Sequence, residues 1–520
     1  MIAKFGKAGL VFLTALSLVL LAGCNDTLRQ FITPVPKPTG DPGSLAHAVI
    51  LSTQPTQGAN GSTLHIDVSG DTLAGELATG PNPIFLGKAS GRAFVINSNN
   101  TITAYTALLP QNGNPTTITL NGSTITPVAG GVGSSGDFYT TNMGSAGISQ
   151  ISSAVNAQLT TIPVGTNPVA IAGNSANSKI YVVNNNKGQP AGSVTVVSVT
   201  DNSVVKTIPV GKEPIWAVMS ADGVFVFVVN QGDGTVMVID TTLDIVLPCT
   251  ATDPACNSTT RAISVGSTAN SSPNFAFFDT HLQRLYVTNT GENTVAIIKA
   301  DGINSGLGID AQLLKIVKVS GTPISVAALS DGSKAYAALA NCPSGTNHTN
   351  LVTSPTPSTP PMLPSCTGNL VSVIDAVALQ ETKTIQVGHG VVSVDTAADA
   401  SRVYAVGAFD TTTIIDNVHN PNCAPTGPCG VGGHCIVAPC IPGTPLPDRT
   451  FATPSVSIIK TAADTVFVPP TDPSVTSFPI PSFFAPQQDP ACVPAIDSNF
   501  NKNVAMPCPG QTPFMVRVFP

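Results

Sequence analysis

Charge is scarce in this chain: only 10% of its 520 residues are Asp, Glu, Lys or Arg, and the formal net charge is −7. Polyanion binding needs clustered Lys and Arg, so no nucleic acid is expected as a partner. Aromatic residues make up 5%, with a single tryptophan, Trp216. Local catalytic motifs are missing too. There is no P-loop, no H-E-x-x-H, no G-x-S-x-G nucleophile elbow and no EF-hand loop. The seven His are scattered and no cysteines have C-x-x-C spacing, so neither a metal site nor a haem attachment is expected, and no cofactor. The long apolar run, Ala8 to Leu21, is broken by Thr14 and Ser17. It is shorter than the ~20 residues of a spanning helix, which argues against a lasting transmembrane segment.

That run has another use. Lys4 and Lys7 precede it and Leu21-Ala22-Gly23-Cys24 ends it. This is the layout of a secretory signal, and its end resembles a bacterial lipobox. Small residues at 22 and 23 suit a peptidase cleft, and the Cys24 thiol is the nucleophile that takes the diacylglycerol. The resemblance implies cleavage before Cys24 and a membrane anchor of two or three acyl chains. Asn25 in place of Asp favours the outer membrane of the cell envelope. Residues 25–45 carry Pro34, Pro36, Pro38 and Pro42 and are expected to act as a semi-extended tether. The expected organisation is signal peptide 1–23, lipidated Cys and tether 24–45, body 46–470, and a Pro-rich segment 471–520 that closes or caps the body.

Export sets the reading of the cysteines. Ten remain beside Cys24, an even number, so disulfides are expected. Cys249/Cys256, Cys342/Cys366 and Cys492/Cys508 are natural local pairs, whereas Cys423, Cys429, Cys435 and Cys440 allow three pairings.

The body is repetitive. One phrase is a strand ending in Gly: Ile162-Pro163-Val164-Gly165, Ile208-Pro209-Val210-Gly211, Ile263-Ser264-Val265-Gly266, Ile385-Gln386-Val387-Gly388, with Gly80 and Gly321 in equivalent places. A second is an aromatic–aliphatic strand ending in Asn, at Asn97, Asn142, Asn184, Asn230 and Asn289. A third alternates and ends in Asp, as in Thr235 to Asp240 and Val371 to Asp375. Tyr286-Val287-Thr288-Asn289 resembles the signature of YVTN-type β-propeller repeats, over roughly residues 80 to 470; Tyr336-Ala337-Ala338 and Tyr404-Ala405-Val406 depart from it by lacking the Asn. The fold class expected is all-β, a propeller of four-stranded antiparallel sheets. Each unit has too few strands to bury both faces alone, and radial stacking covers them. The Asn residues read as structural rather than functional, either taking left-handed backbone at the turn or capping it with the side chain. Counting Gly phrases gives seven blades. Strand-like Ala48 to Leu51 and Leu64 to Val68 leave eight open, with the C-terminal segment supplying a missing strand.

Function is sought where the repeat is broken, because loops carry function more often than scaffold. Residues 341–368 and about 408–454 are long insertions between the second and third strands (b and c) of two neighbouring blades. Both emerge on the face that also carries the blade-to-blade d–a turns. Position in those turns makes Asn82, Asn167, Lys212, Glu213 and His389 candidates for ligand contact, and Trp216 lies in an inner strand facing the channel. The leading expectation is a non-enzymatic binding or scaffolding lipoprotein that engages an envelope protein or small ligand through the b–c face. The alternatives are a lactonase-like propeller hydrolase, on fold-level resemblance alone, and a structural cell-surface protein.

Overall fold

The computed structural model describes residues 46–53, 60–68, 72–89, 91–106, 115–122, 126–249, 255–300, 312–341, 366–414, 449–466, 478–479 and 512–519. Cys24, the tether, and Cys342, Cys423, Cys429, Cys435, Cys440, Cys492 and Cys508 lie outside them.

Short runs rich in Val, Ile, Thr and aromatics form strands that pair antiparallel into eight sheets, with no α-helix among the described residues. The sheets are the blades of a β-propeller. Within each, strands follow the order a–b–c–d from the channel outward. The innermost strands of blades 2 to 8 are Pro83–Ala89, Pro127–Val132, Pro168–Ala172, Pro214–Met219, Pro273–Asp279, Pro323–Ala328 and His389–Thr396. Blade 1 is split. Its strands b, c and d are His47–Thr53, Asn60–Asp67 and Thr72–Pro81, while its strand a is Thr512–Phe519 from the other end of the chain. The ring therefore has eight blades, not the seven that the Gly phrases count. The phrases mark only blades whose first strand follows a d–a turn, and the split blade has no such start.

Strand b is the best-buried element, with Phe225–Asn230 buried at every position. Outer strands such as Val204–Pro209 are exposed at all but one. Core density thus lies between blades, in clusters that join neighbouring sheets.

In blades 2, 4 and 5 the Asn and Gly phrases prove to be two halves of one contact. None of the five Asn that end strand b adopts the left-handed backbone. Each instead sends Nδ2 to a hydroxyl of strand c. Asn184 donates to Ser193 Oγ at 3.2 Å and Thr195 Oγ1 at 2.9 Å. Asn97 donates to Thr101 and Thr103, both at 3.1 Å, and Asn289 to Thr294 Oγ1 at 3.0 Å. The preceding blade's Gly lies against this amide: a Cβ on Gly165 would stand 2.6 Å from Asn184 Cγ, and one on Gly211 2.7 Å from Asn230 Cγ. In blade 7, where Leu339 replaces the Asn, Asn341 supplies the side chain. Its Oδ1 accepts the Thr322 N–H at 2.9 Å and lies 2.9 Å from a Cβ built on Gly321.

A second recurring contact ties blades together on the opposite face. Lys179 and Tyr181 of strand b in blade 4 both reach Asp244 in the c–d turn of blade 5, each at 2.7 Å. Lys334 and Tyr336 reach Asp464 in the same way, at 2.7 and 2.6 Å. Asp244 and Asp464 both hold positive φ, +53° and +51°. Burial, then the Asp beside it, pushes each phenol's pKa well above the ordinary tyrosine range, so both stay neutral donors. Arg92 makes the corresponding reach to Asn156 Oδ1 at 2.6 Å.

Gly165→Ala is expected to destabilise the fold by about 1–3 kcal/mol, through overpacking against Asn184. Asn184→Ala is expected to cost about as much, through its lost buried hydrogen bonds. In denaturant titrations the double variant should lose clearly less than the sum of the two; strict additivity would contradict the shared contact.

Candidate functional site

The candidate contact residues of the d–a turns are held by turn chemistry. Asn82, Asn167 and Glu213 each directly precede the Pro that opens strand a, and all three adopt left-handed backbone, with φ of +44°, +51° and +49°. Ser272, before Pro273, does the same at +48°, a member of the set that sequence reasoning missed. Their carbonyls accept N–H groups from their own blade's b–c turn: Asn82 from Ser98, Asn167 from Asn185, Glu213 from Gln231 and Ser272 from Thr290. Asn82 is buried. The Lys212 side chain is exposed, and its backbone N–H is held by Asp233 at 2.6 Å. His389 begins strand a of blade 8; its side chain lies outside the described residues.

Trp216 occupies a different place. From strand a of blade 5 it packs against hydrophobic clusters that between them draw on all eight blades. Its Nε1 donates to the Ala276 carbonyl of blade 6 at 3.1 Å, and its ring lies 5.1 Å from Phe275. Phe277 also packs against two of these clusters.

At the mouth where the a–b turns gather lies a cavity of about 340 Å³ with Lys88, Phe277, Thr280, Leu329, Asp395 and Val518 in its wall. Sequence reasoning had looked to the other face. The available signal was a lone charge in an otherwise apolar inner strand, as Lys88 is in Pro83–Ala89 and Asp395 in His389–Thr396. These charges serve the closing strand. Lys88 Nζ donates to the Val518 carbonyl at 3.1 Å, and Asp395 Oδ2 accepts the Val518 N–H at 2.9 Å. Asp395 Oδ1 accepts the Thr396 N–H at 2.9 Å. Arg517 donates to the Val516 carbonyl at 3.2 Å; desolvation lowers its pKa and Asp395 opposes the shift. Thr396 and Ser330 spend their hydroxyls on the carbonyls of Ala328 and Ala398. Among the described residues, no group of three or more His, Cys, Asp or Glu converges in a way that could hold a metal.

On the b–c face, blade 8 departs most from the repeat. Its strands b and c, Arg402–Ile414 and Arg449–Lys460, run for 13 and 12 residues where blades 4 to 6 use six. Their pairing continues past Gly407↔Ser455 to Ile414↔Arg449, so a two-stranded ribbon extends beyond the blade. In blade 7, Cys366 lies just before strand c, buried and disulfide-bonded. The Cys249–Cys256 disulfide is formed and lies in the c–d connection of blade 5, on the opposite face.

No family model matches the chain, and no curated protein matches it in sequence. Solved structures match its fold. The structure titled dihydro-heme d1 dehydrogenase NirN in complex with DHE aligns with a TM-score of 0.51 at 9% identity, covering 83% of this chain and 74% of that one. Apo AztD from Citrobacter koseri aligns at 0.48 and 9% identity, over 81% and 94% of the two chains. Kuenenia stuttgartiensis hydrazine synthase aligns at 0.43 and 16%, over 63% and 93%. At 9% identity the likeness to the NirN structure is one of fold alone.

Replacing Trp216 by Ala is expected to cost about 3 kcal/mol, by removing its packing between blades 5 and 6 and its hydrogen bond to the Ala276 carbonyl. As Trp216 is the sole tryptophan, wild-type emission should be blue-shifted and red-shift on unfolding. Emission typical of a fully hydrated indole in the native state would contradict this packing.

Proposed function

We propose that this chain is an exported, lipid-anchored propeller of the YVTN-repeat type that works as a binding or scaffolding module at the cell envelope, with the b–c face as its contact surface. The observation that carries the reading is the ribbon of blade 8. A hairpin continued beyond its sheet keeps paired backbone while standing clear of the core, so it adds contact surface without drawing on blade packing. In the neighbouring blade 7, the end of strand b and the start of strand c, with the disulfide-bonded Cys366 just before it, lie on the same face. Five b strands ending in Asn, in consecutive blades 2 to 6, support the repeat kinship. The Leu21-Ala22-Gly23-Cys24 sequence after a short apolar run supports the anchor.

The surface is tested by removing residues 345–363 and, separately, by replacing 415–448 with a two-residue turn. Both proteins should keep the thermal transition of the parent within a few degrees. Both should lose envelope proteins that cross-link to the parent in whole cells. Retention of the full cross-linking pattern by both would sink the reading. The anchor is tested by Cys24→Ser, which should abolish incorporation of labelled palmitate and move the protein from the membrane to the soluble fraction; unchanged labelling would refute it.

A further inference from the structure

Blade 1, where the two chain ends meet, carries different chemistry on its two faces. Residues opposite one another across an antiparallel pair share a face. One row across strands a, b and c is Arg517–Val49–His65, and the next is Phe519–His47–Asp67. The other face is apolar: Ala48, Ile50, Leu64, Ile66, Val516 and Val518 pack with Tyr404 and Val406 of blade 8. The face toward blade 2 shares a cluster with that blade through Val49, Leu51, Met515 and Phe519, and sets His47, Thr63, His65, Asp67 and Arg517 among them.

Two histidines are thereby shut into the seam. His65 is 0% and His47 6% exposed, with ring centroids 6.2 Å apart. Tyr105 of blade 2 stands edge-on to His65 at 5.5 Å and donates its hydroxyl to Thr63 Oγ1 at 2.8 Å; Thr63 Oγ1 lies 3.4 Å from His65 Nε2. His47 Nδ1 is buried with no hydrogen-bond partner. A neutral imidazole tolerates this place, whereas an imidazolium would bring a desolvated charge beside a second histidine.

We propose that the seam between blades 1 and 2 is an acid-sensitive opening point of the ring, at which protonation of His47 loosens the closing strand Thr512–Phe519. The groups that act on His47 are His65 and Asp67 from strand c, with Tyr105 of blade 2 behind His65. Asp67 is the anion among them; Arg517 of strand a is opposed instead by Asp395 of blade 8. Burial lowers the His47 pKa and Asp67 only partly opposes this, while burial holds the Tyr105 phenol neutral. The sign follows. A histidine whose pKa is lower in the closed ring than in the opened one binds its proton preferentially when open. Stability from the neutral ring is fully present above about pH 6.5, the free imidazole value, and is lost as pH falls below it. The strand that responds is the one that closes the ring.

The test is hydrogen exchange by mass spectrometry on the full chain from pH 7.5 to 5.0, with intrinsic rates removed. Protection of residues 512–519 and 47–53 is expected to fall by up to about tenfold per pH unit below 6.5 for one proton taken up, while strand b of blade 5 keeps its protection. His47→Gln should flatten the fall. If that variant folds poorly at neutral pH, the His47 ring resonances of the unmodified chain decide, with a titration midpoint expected below 6.5. A uniform loss of protection in all blades, an unchanged fall in His47→Gln, or a His47 midpoint at or above 6.5 would each overturn the proposal.

Discussion

The whole ring depends on one strand pair. Thr512–Phe519 meets His47–Thr53 through seven register partners and joins blade 8 to blade 2 through a blade made from both ends of the chain. A stack of sheets left open would expose one face at each end of the arc; closure covers both. The inner edge of the closing strand faces the channel, where its backbone groups have no neighbouring strand. Asp395 from one side and Lys88 from the other take up the N–H and C=O of Val518. The two charges in otherwise apolar inner strands thus have a structural reason to be there.

Around that closure the ring is assembled from repeated junctions. Gly at the end of one blade and Asn in the next form a single contact, so each phrase constrains the other. On the opposite face, Lys and Tyr of one blade hold a left-handed Asp in the next. Residues that recur from blade to blade, including the pre-proline Asn82, Asn167 and Glu213, are accounted for by backbone and packing. Residues that occur once are the ones left to carry individuality: Trp216 between blades 5 and 6, His47 and His65 in the closing seam, and the ribbon of blade 8.

Much of this was legible in the chain itself. Alternating Val, Ile and Thr between Gly and Pro turns defines half-buried strands, and the recurring Gly and Asn phrases define the unit, because both are local consequences of backbone geometry and side-chain shape. The capping role of the Asn was readable for the same reason. The b–c excursions of blades 7 and 8 also stood out against the regular spacing.

What tertiary structure decided is what depends on residues distant in sequence. The Gly phrases miss the split blade; its strands near residues 48–51 and 64–68 left eight open in the sequence, and the pairing of Thr512–Phe519 with His47–Thr53, more than four hundred residues apart, settles the count. The Asp244 and Asp464 latches look like ordinary turn residues until the next blade is placed beside them. His47 and His65 are two scattered histidines in sequence, and become neighbours because antiparallel pairing puts them on one face and the ring presses that face against blade 2. Sequence by itself determined the unit, since a blade's fold is written in short-range pattern. Packing of one unit on the next decided between seven and eight blades and determined the polar seam, since those are properties of contacts that no local pattern encodes.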